Sequence, residues 1–294
     1  MAIQYTRTPF RILNAVSPRL SARLALRVFT TARRWPTPAW EQEIARRAET
    51  IWLANGHTGL SWGHGRPVLL VHGWEGRVTQ LGRFVAPLVA RGFRVLGFNA
   101  PGHGEHSGHA LNVVDYAQFL RAVVAEYGPL RGVIAHSMGA SAVAFAARLP
   151  LRVERAVFIS MADSVGGVIE RFEDLLGLPW PTRRIFRYRL ESEIFKRPVV
   201  ELDLSKHAPE FIPQTLLLAT DDDQDVPVVD TQRIAAHWPK AKMQIALQAG
   251  GHRKVLRDDR VIASAVSFIA EESWLSRPVA SPNNANAPIE RTAS

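Results

Sequence analysis

The chain contains no cysteine in 294 residues, which excludes disulfide bonds and any chemistry run on a thiolate while leaving the compartment open. It has no apolar run near the roughly 20 residues that a membrane-crossing helix needs. An apolar stretch followed by a small-residue cleavage site is also missing near the N-terminus, so the expectation is a soluble, cytoplasmic protein. No internal repeat is present. Acidic residues are absent from the first forty positions, although Arg7, Arg11, Arg19, Arg23, Arg27, Arg33 and Arg34 lie there, and this segment supplies most of the net charge of +9. Arg19, Arg23 and Arg27 recur every fourth residue on one helical face, with Leu20, Leu24 and Val28 on the adjacent one. Such a basic amphipathic helix is suited to weak contact with an anionic membrane surface. The alternative is that its apolar face packs on the rest of the protein and the arginines are solvated. With no aromatic interleaving and no nucleic-acid motif, no nucleic-acid partner is expected.

Beyond that segment, short apolar runs alternate with helix-like stretches. Strands are predicted at 68–72, 94–98, 132–136, 156–160, 215–220 and 243–247, each almost continuously apolar, as parallel strands buried on both faces are. Helical spacing marks 80–90, 113–127, 138–149, 229–237 and 255–270. A hairpin is predicted over 51–62, turning at Asn55-Gly56. This alternation indicates an α/β fold with a mostly parallel sheet covered by helices on both faces.

One strand-to-helix junction carries chemistry. In Ala135-His136-Ser137-Met138-Gly139 a serine stands between small residues, where a sharp turn lifts its hydroxyl above the sheet. A serine hydroxyl is a weak nucleophile at neutral pH and needs a histidine base oriented by a carboxylate. Downstream, a predicted strand runs into Asp221-Asp222-Asp223-Gln224-Asp225-Val226-Pro227, and the next leads to Ala249-Gly250-Gly251-His252. The order is Ser, Asp, His.

Two further motifs, Val71-His72-Gly73-Trp74 and Asn99-Ala100-Pro101-Gly102-His103-Gly104, each end a predicted strand. With the serine turn and the Gly-His loop they make the chain resemble the α/β-hydrolase superfamily over roughly residues 50–273. The resemblance implies that Ser137 is the nucleophile, His252 the general base and Asp223, four residues before Pro227, the acid; Asp222 and Asp225 remain possible substitutes. It implies structural roles for His72 and His103. It also makes the backbone N–H of Trp74 one donor to the oxyanion, beside that of Met138, which opens a helix whose dipole favours negative charge. The chain departs from the family pattern where Ala135 replaces a glycine, Asn99 stands where aspartate is common, and Ala219-Thr220 precede the acid.

The expected organisation is a basic helical extension over 1–48, a hydrolase domain over 49–275 and a disordered tail over 276–294. About residues 161–213 leave the alternating pattern and resemble a helical cap, so Trp74, Phe172, Leu176 and Trp180, with Leu175, Phe186 and Phe195, are candidates to line the substrate pocket. The alternative is that the cap's apolar residues fill its own core. His103, His106, His109 and Glu105 crowd one loop, but the hydrolase turn explains that loop, and neither metal nor cofactor is expected. The reading is a serine hydrolase of a small-molecule carboxylic ester or related acyl compound. An acyltransferase on the same triad, or a catalytically silent binding protein, is the alternative, and the acyl group does not follow from the fold.

Overall fold

The computed structural model describes residues 7–106, 112–205, 212 and 214–271. Among them eight strands form one sheet: β1 (Glu49–Trp52), β2 (Thr58–Trp62), β3 (Arg66–Val71), β4 (Phe93–Phe98), β5 (Gly132–His136), β6 (Arg155–Ile159), β7 (Gln214–Thr220) and β8 (Ala241–Ala246). Their spatial order is β1-β2-β4-β3-β5-β6-β7-β8. The β1–β2 and β2–β4 pairs are antiparallel and all others parallel. The hairpin turns at Gly56, whose φ of 82° suits a residue without a Cβ.

Alternate residues of the central strands enter different cores, which is why these strands read as unbroken apolar runs. Leu69, Val71, Val133, Ala135, Ala156, Phe158 and Leu217 belong to one core. Val68, Leu70, Ile134, Val157, Ile159, Leu216 and Leu218 belong to the other. The first core is covered by α5 (Val113–Tyr127), α6 (Met138–Ala146) and α9 (Val228–His237), through side chains such as Leu120, Val143 and Ile234. The second is covered by a 3-10 turn at Val78–Phe84 with α4 (Val85–Val89), and by α11 (Asp259–Ala270).

Two helices differ from the periodic reading. The segment predicted as one helix over 80–90 is a 3-10 turn leading into the short α4, and a Cβ added at Gly82 would lie 2.5 Å from Ile44 Cδ1 of α3 (Ala39–Arg46). The stretch 255–270 is broken at Asp258. Its carboxylate accepts hydrogen bonds from the Arg260 and Val261 amides, ending a 3-10 turn and capping α11.

The cap contains α7 (Val165–Leu176) and α8 (Trp180–Arg189), followed by a π turn at Leu190–Phe195. It includes more than the insertion. The N-terminal α1 (Arg7–Val16) and α2 (Pro18–Thr30) pack against it, burying Phe10, Ala22, Ala25 and Leu26 in the same core as Ile169, Leu176 and Phe186. Phe29 of α2 meets the Phe172 ring at 5.0 Å and the Phe186 ring at 5.8 Å, both edge-on. Thr182 Oγ1 donates to Asn14 Oδ1 at 2.9 Å, and Arg7 donates to the carbonyls of Asp174 and Leu175. After α2 the chain returns to the sheet, where Arg77 and Glu41 form a buried ion pair at 2.6 Å. Thr79 Oγ1 donates to the same carboxylate, and Arg77 also binds the carbonyls of Trp35 and Pro36. The tail at 276–294, His109 and residues 206–211 and 213 of the expected cap lie outside the described residues.

Candidate active site

Ser137 lies between β5 and α6 with φ 53° and ψ −126°, a strained backbone for a residue with a side chain. Two glycines make the turn possible. A Cβ on Gly139 would lie 2.3 Å from the His72 carbonyl oxygen, and one on Gly73 would lie 2.8 Å from Ser137 Cβ. Ala135, the departure from glycine, is fully buried in the first core.

The Ser137 hydroxyl lies 2.9 Å from His252 Nε2, and His252 Nδ1 lies 2.8 Å from Asp223 Oδ2. Because the carboxylate can only accept, the imidazole proton sits on Nδ1 and Nε2 is left with its lone pair toward the serine. Asp223 is held at its other oxygen by the Asp225 and Val226 amides, both at 2.9 Å. Burial would raise the Asp223 carboxyl, but the hydrogen bond and charge of His252, with the Val226 amide, outweigh it and keep the acid below the usual carboxylate range.

The other carboxylates of the run have different partners. Asp221 accepts from the Gln248 amide at 2.7 Å and Asp222 from the Gly250 amide at 2.9 Å, while Thr220 Oγ1 accepts from Ala249 at 3.1 Å. These bonds tie the loop that leads into α10 (Gly251–Lys254), the short helix that carries His252, to the end of β7. The Asp225 side chain is exposed. Of the three aspartates considered as the acid, only Asp223 reaches the histidine.

Two buried histidines hold the frame. His136 Nε2–H donates to the His252 carbonyl at 2.8 Å, and burial together with the neighbouring His252 pushes His136 down to about 3, so it stays neutral. His72 donates from Nδ1 to the Gly73 carbonyl at 2.8 Å and accepts the Ala100 amide at Nε2 at 2.9 Å. Burial pushes it too down to about 3. Tyr116 donates its hydroxyl to the His72 carbonyl at 3.1 Å. Asn99 accepts the Val78 amide at 2.8 Å, bracing the same loop.

Met138 directly follows Ser137 and opens α6, and Gly73, which precedes Trp74, lies against Ser137. Neither the Trp74 nor the Met138 N–H has a hydrogen-bond partner among the described residues. The half-buried Trp74 ring packs edge-on to His103 at 5.2 Å.

One buried charge was missed by sequence reasoning. Glu75 follows Trp74 with φ 55° and is 4% exposed. Its carboxylate accepts from Arg33 Nε at 2.8 Å, Arg33 Nη2 at 3.0 Å and Trp35 Nε1 at 3.3 Å, and Arg253 Nη2 approaches to 3.5 Å. Burial would raise this carboxyl, but the Arg33 and Trp35 hydrogen bonds hold it below its ordinary value. Glu75 therefore joins the segment descending from the cap, the turn after β3 and the residue after His252. The available signal was a single glutamate directly after His-Gly-Trp, facing an N-terminal segment rich in arginine and free of acids.

The expected substrate-lining set requires correction. Leu176 and Phe186 are fully buried, Phe195 nearly so, and Phe172 is half-buried against Phe29 and Phe186. They fill the core shared by α2, α7 and α8, because apolar residues at helical spacing first satisfy their own helix pair. Trp180 is 69% exposed beneath the Arg184 guanidinium, and Leu175 is also exposed. A cavity of about 820 Å³ lies among Arg33, Trp35, Glu75, Asn99 and His103, and none of Ser137, Asp223 and His252 lines it. Among the described residues no group of three side chains is arranged to hold a metal.

A non-heme haloperoxidase from Rhodococcus erythropolis is 34% identical over 150 residues, 49% of this chain and 53% of the relative; the chain thus spans about half the length of the curated relative it matches. Among solved structures, an esterase from Pyrococcus furiosus aligns with TM-score 0.58 at 17% identity, covering 82% of this chain and 97% of the esterase. A bromoperoxidase from Bacillus anthracis aligns with TM-score 0.53 at 18% identity, covering 76% and 100% respectively. At such identities these likenesses concern the fold. Residues 68–265, well over half of the chain, match the alpha/beta hydrolase family, and the protein belongs to that family.

Proposed function

We propose that the protein hydrolyses a carboxylic ester or related acyl compound through an acyl-enzyme on Ser137. The observation that carries this reading is the continuous relay Ser137 Oγ, His252 Nε2, His252 Nδ1, Asp223 Oδ2, with contacts of 2.9 and 2.8 Å. As Ser137 Oγ attacks the acyl carbonyl, His252 takes its proton at Nε2, and Asp223 stabilises the resulting imidazolium without accepting the proton. Negative charge develops on the carbonyl oxygen, and in this reading the Trp74 and Met138 amides are its donors; one such donor contributes on the order of 3 kcal/mol. His252 then returns the proton to the leaving alkoxide. Water, deprotonated by the same nitrogen, cleaves the acyl-enzyme and regenerates Ser137. No cofactor enters these steps.

The haloperoxidase relative favours a second reading. If hydrogen peroxide rather than water takes the acyl group from Ser137, the product is a percarboxylic acid, which oxidises halide. Acyl transfer to an alcohol is the same branch with another acceptor.

Chromogenic acyl esters of increasing chain length test the first reading, with water, alcohol or hydrogen peroxide plus bromide as competing acceptors. Ester turnover should be measurable in the parent protein and about 10⁴-fold lower or less in Ser137→Ala. Equal rates in the two proteins would remove Ser137 as the nucleophile, and no turnover across the panel would point to a binding protein on a hydrolase fold.

A further inference from the structure

The outer face of the composite cap combines exposed apolar side chains with uncompensated positive charge. On α1, Ile12 and Val16 lie one turn apart and are 62% and 73% exposed; Leu20, at the start of α2, is 51% exposed. Trp180 and Tyr188 lie two turns apart on α8 and are 69% and 70% exposed. A shallow surface cavity joins the two sets, lined by Val16, Arg19, Trp180 and Arg184 among others. Thus the apolar residues form one neighbourhood rather than scattered exceptions, and patches of this kind mark interaction sites.

Around it stand Arg11, Arg19, Arg23, Arg27 and Arg184, all exposed, and none forms an ion pair among the described residues. Of the acids on the cap, Glu173 pairs with Arg187, Asp174 with Arg183 and Glu193 with Arg189, whereas Glu170 of α7 is exposed and α8 has no acid. Neither α1 nor α2 contains an acidic residue.

We propose that this face docks the protein on an anionic phospholipid surface, with Ile12, Val16, Leu20 and Trp180 entering the headgroup region and the arginines meeting lipid phosphates. Apolar area plus basic charge is the combination that holds amphipathic helices at such an interface, and tryptophan and tyrosine suit its polar-apolar boundary. Duplex nucleic acid would satisfy the arginines but leave the large apolar side chains without a role. A symmetric contact between two copies would bring the arginine set against itself, which like-charge repulsion disfavours. The docking is independent of the chemistry at Ser137.

Co-sedimentation of the full chain with vesicles tests it. Binding is expected to vesicles of phosphatidylcholine mixed with phosphatidylglycerol and not to phosphatidylcholine alone, and to weaken as salt is added. Affinity should fall about fivefold for each arginine removed, so Arg19→Glu with Arg23→Glu should lower it at least about 25-fold. Ile12→Ser with Val16→Ser should also weaken it. All four residues are exposed, so thermal melting should match the parent and show that the variants remain folded. The proposal is overturned if neither vesicle binds, if both bind equally, or if charge reversal changes nothing. It is equally overturned if the Ile12→Glu, Val16→Glu protein merely loses a dimer detected by sedimentation velocity while the parent ignores vesicles, or if duplex DNA is retained and vesicles are not.

Discussion

The carboxyl edge of the sheet and the cap are built by different rules. At the sheet edge each proposed functional group follows shortly after the end of a strand: Trp74 after β3, Ser137 immediately after β5, Asp223 after β7 and His252 after β8. Backbone pairing between adjacent strands fixes where those residues emerge, and short motifs signal the turns. In the cap an isolated bridge between Ser164 and Asp203 ties down the start of α7, but no strand ladder positions the helices among the described residues. Their side chains are placed by whichever helix packs opposite, and for α8 that partner is α2, more than 150 residues earlier in the chain.

Replacing the acid tests the sheet-edge side of this contrast most strongly. Asp223→Asn should lower ester turnover about 10⁴-fold with little change in KM, because the amide no longer holds the tautomer that leaves Nε2 free. Asp222→Asn, one residue away, should cost on the order of 1 kcal/mol of stability through the weakened bond to Gly250 and leave most turnover intact. Comparable catalytic losses in both would mean that the carboxylate run acts collectively.

On the cap side, Leu176→Ala should destabilise the fold by about 2–5 kcal/mol in denaturant unfolding, while the preference among ester chain lengths stays unchanged. A shifted chain-length preference with unchanged stability would return Leu176 to the substrate pocket.

The two regions were unequally legible before the structure. Strand positions, hairpin, sheet class and the order Ser137, Asp223, His252 follow from apolar runs and turn residues, since each is encoded locally. The periodicity of 168–190 leaves open whether Phe172, Leu176 and Phe186 face a pocket or the cap's own core, because it does not show that Phe10, Ala25 and Phe29 pack there. The roles of Asp221 and Asp222 were hidden for a related reason, as adjacent carboxylates look alike in sequence and differ only in which loop amide faces them. Glu75 was overlooked because its partners Arg33 and Trp35 come from a segment that looks like a separate extension.

A third prediction concerns pH. The unfolded chain takes up protons on His72 and His136 below about 6.5, whereas burial keeps both neutral in the folded protein down to about 3. Protonation therefore favours unfolding. Stability should be fully present above about 6.5 and decline as pH falls, by as much as ~1.4 kcal/mol per pH unit for each histidine. Asp223 and Glu75, held below their ordinary values, contribute stability that is lost only at still lower pH. Thermal melting measured across this range should slope downward from about pH 6.5, and a flat profile to pH 4.5 would contradict the neutral buried pair. The smallest effect is expected for Trp180→Ala, whose side chain is largely solvated; unfolding free energy should change by no more than about 0.5 kcal/mol, and a larger loss would mean that the tryptophan belongs to the cap's interior packing.

The most direct test of the proposed chemistry is the intact mass of the folded protein after exposure to a fluorophosphonate, which traps an activated serine. The relay predicts one phosphonyl adduct that maps to Ser137 and disappears in Ser137→Ala. No adduct on the parent protein, or an adduct that persists in Ser137→Ala, would contradict it.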